Sequence, residues 1–315
     1  MPLYRLCRIS QRLAKSTNSS DLNGSADAIS PNPDMAIDRS LNPFQGWSLV
    51  VASNDDKVLQ NTLLASPSIG PECQIIIKRG FRSLGKAYNS GLAEARNELV
   101  VFAHQDVYLP ATWIDSLYVT LKHLDRADSA WGVLGPFGVA CAPPAQLFGF
   151  CYSTGLGRIL GEPFSSPIPA ATLDELVLVL RRSSGLLFDE HAPGFHLYGA
   201  DICLAAASRG MNSYIVPSFC IHNANGIVRL PSDFWRAYFY LRSKWRSELP
   251  VTTCCTTITK GCFPVLRRIA AEFKGLSRGR RLDTRTGDVE ALYEHLCRTN
   301  PEVARRRLGI EAKEQ

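Results

Sequence analysis

Three polar residues, His104-Gln105-Asp106, follow directly on a short apolar run, Leu99-Val100-Val101-Phe102-Ala103. Valines and a phenylalanine in so short a run suit a strand buried on both faces. In open α/β sheets, ligands bind outside the carboxyl ends of the strands, so polar groups placed there are where chemistry is expected. The plain alternative is a strand end with ordinary solvated side chains. Farther along, Phe188-Asp189-Glu190-His191 through Phe195-His196-Leu197-Tyr198-Gly199 is loop-like and unusually rich in polar and aromatic groups. Asp201 stands near the start of a helical stretch and His222 just past a late apolar run. A carboxylate at a helix start caps backbone N–H groups and complements the dipole, roles that lower its basicity.

The elements that must position these groups alternate along the chain. Trp47 to Ser53 predicts a buried strand, and Asn54-Asp55-Asp56 supplies N-cap chemistry for a helix carrying Val58, Leu59, Leu63 and Leu64. Cys73 to Ile77 predicts a second strand ending in the basic run Lys78-Arg79-Gly80-Phe81-Arg82. A second helix follows, with Leu84, Tyr88, Leu92 and Ala95 on one face. After the organising strand, Leu109-Pro110 ends the loop, and Trp113 to Leu124 keeps a helical spacing. Trp131 to Gly135 is a fourth candidate strand. Alternation at this pace predicts βαβ units and a mostly parallel, twisted sheet flanked by helices, an α/β fold. Phe137 to Pro169, rich in Gly, Pro and Ser, suits hairpins or an excursion from the sheet. Leu173 to Leu180 fits a strand or a helix by pattern alone. Ala200 to Arg209 reads as a helix stopped by Gly210, Tyr214 to Ile221 as a strand broken by Pro217, and Ser232 to Arg246 as a last amphipathic helix.

Composition sets the limits. The chain has 315 residues, 45% hydrophobic and 20% charged, enough to bury a full core. No apolar run approaches ~18 residues, which excludes a transmembrane helix. Residues 1–45 are rich in Ser, Asn, Asp and Pro and carry early arginines without a secretory apolar core; they are expected to be a disordered leader. Residues 46–246 form the expected catalytic domain and 247–315 a basic helical extension. Ten scattered cysteines without metal-type spacing are expected to be reduced thiols, which gives a cytoplasmic expectation.

Taken in order, Ala52-Ser53-Asn54-Asp55, Ala87-Tyr88-Asn89-Ser90-Gly91, Phe102-Ala103-His104-Gln105-Asp106-Val107, Phe188-Asp189-Glu190, Tyr198-Gly199-Ala200-Asp201-Ile202-Cys203-Leu204, His222 and Lys244-Trp245 form a pattern. It resembles the family 2 glycosyltransferases with the GT-A fold, and among them the streptomycin-biosynthesis-type glycosyltransferase domain. The resemblance covers about residues 47 to 245. It implies a GT-A type sheet and metal-assisted, inverting transfer of a sugar from a nucleotide-diphosphate donor to an acceptor hydroxyl.

Carried over residue by residue, the family's D-x-D metal element falls on His104-Gln105-Asp106. Asp106 matches the metal-binding Asp, and His104 replaces the first acid. His222 resembles the distal His ligand of some GT-A enzymes. The implied cofactor is Mn²⁺ or Mg²⁺, and an imidazole ligand would favour Mn²⁺. Ser53, Asn54, Asp55, Lys86, Asn89, His104, Gln105 and Asp106 fall on the nucleotide-sugar side. Asp201 matches the catalytic base, although Ala200 replaces the first acid of the family's pair. Asp189, Glu190, His196 and Tyr198 fall on the acceptor side.

Two rivals stand beside this reading: a nucleotide-sugar-binding protein that has lost turnover, in view of the His104 and Ala200 departures, and a nucleotidyltransferase. No Gly-x-Gly-x-x-Gly follows the first strand and there is no Walker A sequence, so dinucleotide and ATP-loop readings lose support. The acceptor is expected to be a glycan, a lipid-linked molecule or a small molecule. Between Lys260 and Arg281, seven basic residues face one acid, Glu272, with Val265, Leu266, Ile269, Phe273 and Leu276 at helical spacing. Such a segment either lies on an anionic membrane surface or packs its stripe on the catalytic domain. Sparse aromatic interleaving argues against nucleic acid.

Overall fold

The computed structural model describes residues 46–226, 230–263, 265–266, 270 and 283–308. The expected leader, and most of the basic stretch from Lys260 to Arg281, lie outside the described residues. Of that stretch's apolar positions, Val265 is buried and Leu266 is exposed. No helix among the described residues is long and apolar enough to cross a membrane.

The chain opens β1 (Trp47–Ala52), α1 (Asp56–Asn61), β2 (Cys73–Lys78), α2 (Leu84–Glu94) and β3 (Leu99–His104). Two-residue β4 (Val107–Tyr108) and α3 (Trp113–Ala127) follow, then β5 (Val133–Gly135), β6 (Phe137–Ala140), β7 (Leu147–Ser153), β8 (Arg158–Gly161), β9 (Ile168–Leu173) and β10 (Val177–Arg181). After α4 (Tyr198–Ser208) come β11 (Ser213–Ile215), β12 (Cys220–His222) and α5 (Ser232–Lys244). The short pair β13 (Val251–Thr252) and β14 (Thr257–Ile258) precedes α6 (Val289–Thr299) and α7 (Pro301–Arg307).

The expected α/β fold is observed. The strand order is β2-β1-β3-β10-β5-β11-β9-β6-β7-β12-β4, with β8 on β7. β1 pairs parallel with both β2 and β3. β10 enters antiparallel between β3 and β5, with Val177 opposite Ala103. The ambiguous stretch Leu173 to Leu180 is thus the end of β9, a turn at Asp174-Glu175 and the body of β10. The excursion expected over Phe137 to Pro169 is the antiparallel set β6 to β9. The run broken by Pro217 is two strands, β11 and β12.

Side-chain alternation builds two cores. Trp47, Leu49, Val51, Leu99, Val101 and Ala103 pack one sheet face against Leu59 of α1 and Trp113, Leu117 and Leu121 of α3. Val50, Val100, Phe102 and Leu178 cover the other face with Leu84, Tyr88 and Leu92 of α2 and Tyr198 and Ile202 of α4. Tyr293, Leu296 and Val303 of α6 and α7 pack on Tyr108, Phe150 and Ile221. That last contact sets the C-terminal helices against β4, β7 and β12.

The α2–β1 contact is close enough to require glycine. A Cβ on Gly91 would lie 2.3 Å from Val50 Cγ1. Gly91→Ala gains about 1 kcal/mol of helix propensity. Overpacking against a stiff, buried valine costs about 1–3 kcal/mol. The expected result is a lower thermal midpoint than the parent; an unchanged or higher one would mean that Val50 moves aside freely.

Candidate active site

Chain connections diverge between β1 and β3: the helix after β1 leads outward to β2, and the one after β3 leads the other way to β5. A sheet of this kind opens a crevice at the carboxyl ends of those two strands. Gln105 closes the floor of it. Its Oε1 accepts from Ser53 Oγ at 2.8 Å and from the Asn54 and Asp55 N–H groups at 3.1 Å each, while its Nε2 donates to Asn54 Oδ1 at 2.7 Å. Asp55 meanwhile caps α1, accepting from Val58 N at 3.1 Å. One amide thereby holds Ser53, Asn54 and Asp55 in a fixed loop beside Asp106.

Asp106 is joined by two imidazoles from different directions. β4 pairs antiparallel with β12, placing His222 opposite Val107, and Asn223 N donates to the Asp106 carbonyl at 2.7 Å. That pairing brings His222 Nε2 to 3.5 Å from Asp106 Oδ1. His104 Nδ1 lies 4.0 Å from the same oxygen. One ligand atom from each of His104, Asp106 and His222 falls within 4.8 Å of the others. Their side chains keep 30%, 14% and 26% exposure, so a small ligand can reach them.

Tyr198 sets the tautomer of His104. Its hydroxyl donates to the Glu175 carbonyl at 3.1 Å and is 2.6 Å from His104 Nε2, which must then carry the proton. His104 Nδ1 is left with its lone pair on the Asp106 side. Burial pushes the His104 pKa down despite Asp106, which keeps the ring neutral. Burial also opposes ionisation of Asp106, but His222, His104 and Arg285 outweigh it and hold the carboxyl well below its usual range. For His222 burial lowers the pKa, and the Asp106 carboxylate more than reverses this. A carboxylate oxygen and two imidazole nitrogens fit a divalent transition ion such as Mn²⁺, a softer set than Mg²⁺ prefers.

A second cluster forms at the end of α5. Lys244 Nζ lies 2.8 Å from each Asp201 oxygen and 2.7 Å from Asp189 Oδ2. Trp245 Nε1 donates to Asp201 Oδ1 at 2.6 Å, and Tyr240 donates to Asp189 Oδ2 at 2.7 Å. Burial raises the Asp201 pKa against the pull of Lys244 and Trp245. Asp189, also opposed by burial, is held at about 2 by Lys244 and Tyr240. Asp201 does not cap its helix. Glu175 stands at the start of that helix, where burial and Asp174 raise its pKa well above the usual carboxyl range against the pull of the Leu197, Gly199 and Tyr198 backbone. Leu197 sits at φ 63°, a left-handed conformation. The first turn of α4 thus joins the clusters, with Tyr198 on His104 and Asp201 on Lys244.

The remaining expected residues fall into place unevenly. Asn89 braces the loop rather than the crevice floor: its Nδ2 donates to the Phe188 carbonyl at 2.9 Å and Glu190 Oε1 at 3.0 Å, and its Oδ1 accepts from Phe188 N. Lys86 is exposed on α2. Among its basic neighbours, Lys78 pairs with Glu94 and Arg79 with Asp56. His196 stacks edge-on with Phe234, and burial lowers its pKa. Glu175 and Arg285 were not among the expected site residues. Glu175 was hidden inside Leu173 to Leu180, whose apolar pattern gave no turn signal. Arg285 lay in a basic region with nothing local to single it out.

No family model matches the chain. A curated relative, the ATP synthase subunits region ORF 6 of Fuscovulum blasticum, is 30% identical over 164 residues, covering 50% of this chain and 64% of its own. The chain therefore spans less than two thirds of that relative's length. Among solved structures, TarS 1-349 of S. aureus is similar at 13% identity and a TM-score of 0.39, over 63% of this chain and 65% of that one. The mannosyltransferase PcManGT from Pyrobaculum calidifontis, in complex with GDP-Man and Mn²⁺, gives 13% and 0.42 over 98% and 91%. GalNAc-T7 with UDP, GalNAc and Mn²⁺ gives 10% and 0.39 over 81% and 58%. Likenesses this low carry no weight for function. What stands on the chain's own geometry is an α/β protein whose sheet switch point carries a carboxylate and two imidazoles within reach of one metal ion.

Proposed function

We propose that this protein is a metal-assisted glycosyltransferase that moves a sugar from a nucleoside-diphosphate donor to an acceptor hydroxyl with inversion. The observation that carries the reading is the His104–Asp106–His222 group at the β1/β3 switch point, beside the loop that Gln105 holds. Ser53, Asn54 and Asp55 would face the nucleoside, and Asp106 with the two imidazoles would hold the cation. A divalent ion bound there would neutralise the departing diphosphate. Asp201, its basicity raised by burial, would take the acceptor proton. Asp189, Glu190 and His196 would line the acceptor side, with Asn89 fixing their loop.

A second reading, a binding protein without turnover, is favoured by the double grip of Lys244 and Trp245 on Asp201. Thermal denaturation with nucleoside diphosphates, with and without Mn²⁺, tests the shared part. A ligand at about a hundred times its Kd adds about 2.7 kcal/mol of stability, readily seen in the midpoint. Stabilisation by at least one nucleoside diphosphate, dependent on Mn²⁺, is expected; none with any would overturn both readings. Release of diphosphate from a donor sugar then separates enzyme from binder. Incorporation of nucleotide into product, with pyrophosphate released, would point to a nucleotidyltransferase.

A further inference from the structure

We propose that Arg285 contacts the diphosphate of the donor, and that its bond to Asp106 couples cation binding to nucleotide binding. This rests on the nucleotide-sugar reading above. The chain from Thr284 to Thr286 returns to lie along Asn223 to Gly226. Gly226 N donates to Thr284 Oγ1 at 2.9 Å, Arg285 N to Asn225 Oδ1 at 3.2 Å, and Thr286 N to Asn223 Oδ1 at 2.8 Å. Backbone and threonine groups therefore hold the segment in place, and Asn223 is itself fixed to Asp106 through the backbone. The Arg285 side chain is delivered into the crevice by that scaffold rather than being needed to build it.

Two of its N–H groups have partners: Nε donates to the Asn223 carbonyl at 2.8 Å and Nη2 to Asp106 Oδ2 at 3.1 Å. The others have no partner among the described residues, and the side chain is 27% exposed. A planar guanidinium with open donors, beside the carboxylate that would hold the cation, suits bidentate binding of phosphate oxygens. Charge gives the coupling. Arg285 already balances Asp106 at 3.1 Å, so a divalent cation arriving alone meets a site with little net negative charge. A polyanionic diphosphate supplies what is missing, both for the cation and for Arg285. Cation and nucleotide should then bind better together than either does alone.

The alternative is a salt bridge that serves only to fasten the C-terminal segment. Titration calorimetry on the full chain separates the two, using Mn²⁺ alone and then ADP, CDP, GDP, UDP and dTDP at saturating Mn²⁺. Arg285→Gln should weaken the best nucleoside diphosphate by about tenfold or more, the scale of a lost charge-assisted pair. The same variant should bind Mn²⁺ alone more tightly, by roughly threefold, because a nearby positive charge is gone. Arg285→Lys should recover part of the nucleotide affinity. Opposite signs for the two ligands are what a merely structural role cannot produce. Equal nucleotide affinity in parent and Arg285→Gln, or loss of both affinities together, would overturn the assignment. A parent that binds none of the five nucleotides would instead remove the nucleotide reading itself.

Discussion

Asp106→Ala should lose at least about tenfold in Mn²⁺-dependent affinity for a nucleoside diphosphate, equivalent to ~1.4 kcal/mol or more. Asp106 is the only carboxylate of the His104–Asp106–His222 group, and both imidazoles face its Oδ1. Removing it leaves two neutral nitrogens beside Arg285, a poor place for a divalent cation. Calorimetry with Mn²⁺ and nucleotide reads the loss directly; affinity equal to the parent's would sink the metal assignment. A pH series adds a second readout. Cation binding needs neutral imidazole, and the His222 pKa is raised, so parental Mn²⁺ affinity should fall as pH drops through that raised value. Stability without metal runs the other way. The protonated His222–Asp106 pair contributes fully below the unfolded histidine value, near 6.5, and its contribution is lost as pH rises through the higher folded value. Asp106→Ala should flatten this dependence.

For Asp201, the expected result is a split between binding and turnover. Asp201→Asn should keep donor affinity and lower turnover by about a hundredfold or more, the range for loss of a general base. Its side chain is 5% exposed and bonded to Lys244 and Trp245. The asparagine keeps the shape and can still accept from Trp245 Nε1, while Lys244 retains Asp189 at 2.7 Å. A fall in turnover with unchanged thermal midpoint would mark proton transfer. Equal turnover in the variant would leave Asp201 as an anchor for α5 against α4. A parent without any diphosphate release, with any donor and acceptor, would favour the binding module.

How much of this was legible beforehand varies by element. Trp47 to Ala52 and Leu99 to His104 were readable because short apolar runs that lead into helical periodicity have few other solutions. Asp55 as a cap was readable because capping is local, within three residues of Val58. Leu173 to Leu180 was not: the pattern fits either period, and only pairing of Val177 with Ala103 selects the strand. Asn89 matched a family position, yet its amide turned out to brace Phe188 and Glu190, a contact across about a hundred residues that no local rule anticipates.

By itself, the sequence determined the alternation of strands and helices, the buried faces, and the edge at which His104, Gln105 and Asp106 emerge. Those follow from short-range periodicity and from where ligands bind in α/β sheets. Only the tertiary structure decided which distant groups complete the site. His222 reaches Asp106 because β4 pairs with β12, and Arg285 reaches it because Thr284 to Thr286 lies along Asn223 to Gly226. Lys244 joins Asp189 to Asp201 because α5 packs on α4. Each of these contacts is held by backbone pairing or by core packing between segments far apart in sequence. Electrostatic partners chosen by such pairing leave no local signature, since a lysine or an arginine in a basic stretch looks the same whether it faces solvent or a buried carboxylate.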